Sequence, residues 1–438
     1  MEYLSNLADQ LNHPDIPWKT IIVGFSLSQY LLETGLQLRQ HKVLQGDKIP
    51  AALSEDVTKE TFDKSQAYGR AKSNFGFFKE FYGILQVLAI IYFDLLVRFW
   101  DMSADLLPYL PAAFKGEKTQ SVIFFMIFNF VSTALNLPTS YWHTFVLEEK
   151  FGFNKQTKGL FFTDLVKSQV LTAVIGIPCI AAFLKIIEAT GDKFFYYLFI
   201  FVVALQAFMI TVYPIFILPL FNKLSPLEEG ELKTSTEALA KRLEFPLKSL
   251  FVIDGSKRSA HSNAYFYGLP WSKHIVIYDT LLEKSSVPEV VAVLAHELGH
   301  WSLSHTTKLL VIGQAHMFAI FTLFSIFIHN DSLYEAFGFT KVHPILVGLI
   351  LFNDLLQPID TFLKLGMNIL SRKFEFEADA FAVKLGYAAD LAQSLINLQV
   401  ENLSTMDSDW MYAAYHFSHP ILPERLRALG WKPKKATK

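Results

Sequence analysis

Long apolar runs alternate with charged connectors along this 438-residue chain. Several reach the roughly 20 residues that a helix needs to cross a bilayer. Such runs lie near residues 18–38, 75–100, 120–143, 160–187, 194–221, 306–329 and 344–370, a pattern that predicts seven membrane helices. Charge interrupts the first and the last: Glu33 sits in one, and Asp354, Asp360 and Lys364 in the other, so a partly interfacial path is the alternative for each. Between the fifth and sixth runs the periodicity changes. Leu250 to Asp254, Tyr265 to Gly268 and His274 to Tyr278 read as short strands between polar turns, which predicts a small sheet. A helix follows it. Ser286 and Glu289 form a capping-box pattern, Pro288 occupies the first turn, and Val290, Val291, Val293, Leu294 and Leu298 supply an apolar body. Another helix is expected from about Ser371 to its stop at Gly386. The chain thus divides into membrane helices 1–5 (1–221), a polar segment with sheet and helix (222–305), membrane helices 6–7 (306–370) and a C-terminal segment (371–438).

Composition strengthens the membrane reading, since 52% of the residues are hydrophobic and 15% aromatic, 41 of them phenylalanine. The formal net charge of -2 and the lack of a basic stripe interleaved with aromatics give no hint of nucleic-acid binding. Cys179, the one cysteine, lies in the fourth run, so an intrachain disulfide is impossible. The first 17 residues hold no Lys or Arg, and no small-residue cleavage site follows the first run. That run is expected to act as its own insertion signal. After it come Arg39, Lys42, Lys48, Lys59, Lys64, Arg70 and Lys72, which the positive-inside rule places in the cytosol, with the N-terminus luminal. Counting spans then puts 144–159, 222–305 and 371–438 on the cytosolic side and 330–343 in the lumen. A glycan on the Asn402-Leu403-Ser404 sequon would overturn this orientation. The basic tail, Lys432 to Lys438, is expected near anionic headgroups.

Polar side chains fall within the spans: Asn129, Asn136, Asp164, Lys167, Gln169, Gln206, Gln314, His316, Asn353, Asp354 and Asp360. Exposure to lipid is costly for such groups, so they are expected to face an interior. Hydrogen bonding between packed helices and the lining of a hydrated space are the two alternatives.

The chemistry concentrates in His296-Glu297-Leu298-Gly299-His300. Two histidines four apart share one helix face and can hold zinc, while the intervening glutamate is placed to act as the base that activates water. Incidental polar residues on a helix are the plain alternative. A catalytic zinc takes three protein ligands and keeps one position open, so a third donor must exist. The metzincin spacing is excluded, because Leu303 and Thr306 stand where its glycine and third histidine belong, and His305 is turned off the ligand face. Glu375 is the candidate. Asp379, one turn on, is placed to accept the free ring N–H of a ligating histidine, whereas Glu377 points the other way. An amphipathic helix with solvated acids is the alternative. Two spans separate this helix from the first, so both return to one side of the membrane. Near the end, His419 could serve as an oxyanion donor and Arg425 could neutralise Asp379; an aromatic and histidine packing cluster is the other reading.

Taken together these residues resemble the type I CaaX prenyl proteases, integral-membrane zinc endopeptidases of the endoplasmic reticulum and inner nuclear membrane. His296, Glu297 and His300 match the family's HExxH, Glu375 and Asp379 its ExxxD, and His419, Pro420 and Arg425 its HPxxxxR. Asn263 and Ala264 match the Asn-Ala of its substrate-holding edge strand. The resemblance implies seven helices forming a barrel around a hydrated chamber, with a small α+β zinc protease domain on the cytosolic side and one Zn2+ per chain. It also implies removal of the last three residues from an isoprenylated CaaX protein, with a second upstream cut in some substrates. A seven-span transporter or receptor with a structural metal, and a membrane quality-control protease of broader specificity, are the competing classes. A closed four-ligand site would mark the first, and equal rates on unmodified peptide the second.

Overall fold

A computed structural model describes residues 2–432, so the expectation for the basic tail falls outside the described residues beyond Lys432. Helices dominate. The chain opens with α1 (Glu2–Leu11), α2 (Trp18–Val43) and α3 (Lys59–Tyr92), the last capped by Thr58, whose hydroxyl accepts the Thr61 N–H at 3.2 Å. The apolar run at 75–100 is not one helix. Asp94 takes a left-handed φ of 50°, a conformation that Asp tolerates, and α4 (Leu95–Leu106) departs in a new direction, with Lys19 Nζ held 2.6 Å from the Asp94 carboxylate.

Next come α5 (Glu117–Trp142), which contains Pro138 and continues into a π-helical turn over His143–Glu148, then α6 (Lys158–Thr190), α7 (Phe194–Val212) and the short α8 (Leu218–Phe221). Gly191, at φ 51°, lets the chain fold α7 back against α6. Among the described residues five stretches are long and apolar enough to cross a membrane: Lys59–Tyr92, Glu117–Glu148, Lys158–Phe221, His305–Phe327 and Ile345–Lys384. The third includes both α6 and α7. By apolar length α2 is not among them, because Ser, Thr and Gln residues interrupt it.

The polar segment carries β1 (Leu224–Pro226), α9 (Glu231–Arg242), β2 (Leu247–Ile253), β3 (Ala264–Leu269), β4 (Ser272–Tyr278), α10 (Asp279–Lys284) and α11 (Val287–Ser302). The sheet runs β1-β2-β4-β3, with β2 parallel to β4 and the other neighbours antiparallel, which leaves β3 at an edge. After α12 (His305–Phe327) and α13 (Asp331–Ala336), α14 (Ile345–Lys384) continues without a break through residue 371, so an apolar span and the acidic ligand segment form one helix. α15 (Ala388–Glu401), α16 (Trp410–His416) and α17 (Leu422–Ala428) complete the chain.

The core of the polar part is built from Leu239, Ile275, Ile277, Leu294, Leu298, Ala382, Ile396 and Leu426, and it also takes in Leu53 and Val57 from the connector between α2 and α3 and Phe62 from the first turn of α3. The 330–343 connection is likewise packed: Tyr334 of α13 is fully buried among Trp18, Phe337 and Val347. Several polar groups of the apolar helices bond to one another. Asn129 donates to Gln169 at 2.7 Å, Gln169 to Thr133 at 3.0 Å, and Gln314 to Gln206. For these, helix-to-helix bonding is the observed role.

Candidate metal centre

α11 begins on the capping box, where the Ser286 N–H donates to Glu289 Oε2 at 2.8 Å and Asn397 of α15 holds the other carboxylate oxygen at 2.9 Å. Its buried face packs on α14 and α15. Gly299 makes the closest approach, for a Cβ there would lie 3.3 Å from the Ala378 backbone and 3.1 Å from the Phe381 ring. A larger residue would push α14 away from α11 and carry Glu375 with it. With glycine in place, His296, His300 and Glu375 present their ligand atoms to one point.

The separations are 3.2 Å between His296 Nε2 and His300 Nε2, 3.4 Å from His296 Nε2 to Glu375 Oε2, and 3.2 Å from His300 Nε2 to Glu375 Oε1. Donors about 2.0–2.1 Å from a tetrahedral metal stand about 3.3–3.4 Å from each other, so these residues fit such an ion. Glu375 Oε2 is buried without a hydrogen bond, as expected for an atom whose partner is a cation.

Each ring is held from behind. His296 Nδ1 donates to Asp379 Oδ1 at 2.8 Å, and Arg425 clamps that carboxylate with Nε and Nη2 at 2.9 and 2.6 Å. Asp379 is completely buried and Arg425 is 9% exposed. Burial disfavours charge on His296, yet the bond to Asp379 and the adjacent Glu375 carboxylate outweigh that and raise the ring to about 9. Burial likewise penalises the Arg425 charge, and the bonds to Asp379 more than offset it. Glu297 lies on the same helix, half-buried, with its carboxyl pushed above the ordinary range by burial despite the opposing pull of the two histidines. His419 sits at the mouth, its Nε2 3.3 Å from Glu375 Oε1 and its Nδ1 2.9 Å from Ser418 Oγ. Partial desolvation outweighs the pull of Glu375 and lowers its imidazole from the ordinary value.

His305 is the residue that sequence spacing turned away from the site. The chain reverses at Ser304, φ 57°, and lays His305 beneath His300, with the two Nδ1 atoms 3.0 Å apart. His305 is 1% exposed, stacks on Phe374 at 4.1 Å and reaches Glu377 Oε2 with Nε2 at 2.9 Å. Glu377, which also pointed elsewhere on sequence grounds, therefore connects to the second histidine. The only advance signal was a histidine beside the HExxH helix. On β3's approach, Asn263 is exposed; its Oδ1 accepts the Ala264 N–H at 2.8 Å and its carbonyl accepts from Tyr278 at 3.0 Å. Ala264, buried, opens the edge strand.

Comparison with known proteins follows the same division. Residues 40–223 match a family model described as CAAX prenyl protease N-terminal, five membrane helices, and 226–431 match peptidase family M48. The chain is similar to CAAX prenyl protease 1 of Saccharomyces cerevisiae, 46% identical over 97% of this chain and 98% of that one. It is also similar to CAAX prenyl protease 1 homolog of Homo sapiens, 40% identical over 93% and 94% of the two chains. The crystal structure of S. mikatae Ste24p superimposes with a TM-score of 0.91 at 45% identity, covering 95% of this chain and 100% of that chain.

Proposed function

Because the chain belongs to the CAAX prenyl proteases of peptidase family M48, a family of membrane metalloendopeptidases, we propose that it removes the C-terminal aaX tripeptide from isoprenylated CaaX proteins at the centre just described. The observation that carries this reading is the triangle of ligand atoms, 3.2 to 3.4 Å on a side, beside a glutamate that is not one of its corners. His296, His300 and Glu375 would hold one zinc ion. When bound, zinc supplies a Lewis acid that polarises a carbonyl and activates water near neutral pH.

The chain's own residues divide the remaining work. Glu297 receives the proton of the attacking water at its carboxylate and delivers it to the leaving amine. His419, with Nδ1 facing the Ser418 hydroxyl, turns an Nε2–H toward the developing oxyanion. Asp379 fixes the tautomer of His296, and Arg425 keeps Asp379 charged and oriented. Asn263 and Ala264 begin the edge along which substrate adds as a strand. Zinc content and cleavage of a farnesylated CaaX peptide, before and after chelation, test the reading together. A metal-loaded protein that leaves the peptide intact refutes it, and equal rates on the unprenylated peptide assign it the broader specificity.

His305 is a positioning residue within the same proposal. If His300 offers Nε2 to the metal, its Nδ1 carries the proton and donates to His305, which in turn donates through Nε2 to Glu377. His305→Ala is expected to weaken zinc affinity about 10- to 100-fold. Competition with a chromophoric chelator measures it, and wild-type affinity would remove His305 from the site.

The same reading arranges the helices as a seven-membered barrel around a hydrated chamber. It is supported by Glu33 of α2, which lies 3.3 Å from Lys364 of α14 and 3.1 Å from His416, charges that need an interior rather than lipid. With 222–305 and 371–438 cytosolic and the N-terminus luminal, the endoplasmic reticulum is the membrane proposed.

A further inference from the structure

A cavity of about 410 Å³ opens beside the metal centre between α3 and the loop joining α16 to α17. Its size falls among small-ligand sites, about 300–1,000 Å³. His419 is shared by the cavity wall and the metal centre, and His261 forms another part of the wall. His261 lies three residues before β3 and is fixed there by Asn402 Oδ1, 3.2 Å from its Nδ1, and by stacking on Phe153 at 4.3 Å. The cavity therefore adjoins the start of the edge strand. Leu403, Phe417 and Leu422 give it an apolar side.

Lys72 of α3 supplies the cationic side. Its ammonium stands 4.9 Å from the centroid of the Tyr68 ring, and among the described residues no carboxylate lies within 4 Å of it. The nearby acid, Glu148, is engaged elsewhere: it accepts from Tyr68 at 2.7 Å and lies 3.5 Å from His261 Nε2, with its side chain 14% exposed. Lys72, exposed on the cavity wall, is thus free to meet an anion that enters the cavity.

Strand direction says which part of the substrate arrives. A peptide added antiparallel to β3, the more stable pairing and the one β3 already makes with β4, runs its C-terminal end toward the N-terminal end of β3. Three extended residues span about 10 Å, the same length of strand that separates Ala264 from His261. A scissile bond beside Ala264 then places the third residue after it, and its free carboxylate, at His261.

We propose that this cavity is the receptor for the C-terminal tripeptide of the substrate, with Leu403, Phe417 and Leu422 facing its aliphatic residues and Lys72 Nζ pairing with its α-carboxylate. The proposal rests on the CaaX reading above and adds a preference to it, for a free carboxylate three residues beyond the cut, which bears on release of the tripeptide and not on an upstream cut.

The test compares two farnesylated CaaX peptides, one ending in a free carboxylate and one in a carboxamide, on the full-length protein in phosphatidylcholine vesicles. Loss of a charge-assisted bond is worth about tenfold or more, so the wild type should cleave the amide with a KM about tenfold higher. Lys72→Met and Lys72→Gln should raise KM for the acid to that of the amide, and Lys72→Arg should preserve the preference. Zinc content identifies any variant that has not folded. On the wild type alone, the free aliphatic tripeptide acid should compete with substrate about tenfold better than its amide. A wild type indifferent to the carboxylate, or folded Lys72→Met and Lys72→Gln proteins that keep the wild-type ratio, overturns the assignment while leaving the protease reading intact. A wild type that cleaves neither peptide removes both.

Discussion

Glu297→Ala is expected to lower kcat about 10²- to 10⁴-fold while zinc remains at the wild-type level. The two effects separate because the Glu297 carboxylate is not one of the three clustered donors, so its loss leaves the ligand triangle whole. Burial raises its proton affinity, which suits a group that must take a proton from water and return it to an amine within one cycle. Single-turnover cleavage of a farnesylated peptide, with metal content measured on the same sample, decides the matter. A variant that cleaves at the wild-type rate would exclude Glu297 from proton transfer, and one without metal would make it a structural residue.

The second large effect is expected at Arg425. Its guanidinium holds both oxygens of Asp379, and Asp379 has no solvent exposure with which to recover the lost bonds. Arg425→Met therefore strands a carboxylate and should destabilise the fold by about 3–5 kcal/mol. Arg425→Lys should rescue little, since an ammonium cannot reproduce the planar fork. Adding Asp379→Asn to Arg425→Met removes the stranded charge and should restore part of the stability, but it also removes the carboxylate that orients His296, so zinc affinity should stay low. Thermal unfolding of the single and double variants, with metal titration, separates the two contributions. An Arg425→Met protein that melts like the wild type would show that the pair contributes nothing.

How much of this could be read from the chain depends on the range of the interaction. The helix at Val287–Ser302 was legible because capping box, proline and apolar face all lie within one short window. Glu375 and Asp379 were legible as a one-turn pair, a local relation. The β3 edge could be anticipated from its flanking turns, whereas β1 could not, being three residues that owe their pairing to β2. His305 stands off the ligand triangle, as its spacing predicts, but its contact with the back of His300 was not legible, because a left-handed residue at Ser304 reverses the chain there. The break at Asp94 has the same cause, since hydropathy cannot register a single backbone angle. Nor could it reveal that Leu53 and Val57, in a charged connector, and Phe62, at the start of α3, complete the core of a segment far along the chain.

One element ties the lipid to the chemistry. α14 is a rod of 40 residues, about 60 Å long, whose apolar part lies in the bilayer and whose other end carries Glu375. A tilt of about 2° about its membrane-buried end would swing Glu375, about 45 Å away, through about 1.5 Å. Cleavage in vesicles of graded acyl-chain length is therefore expected to be fastest at one bilayer thickness, and a rate that does not change with chain length would show that α14 passes no tilt to Glu375.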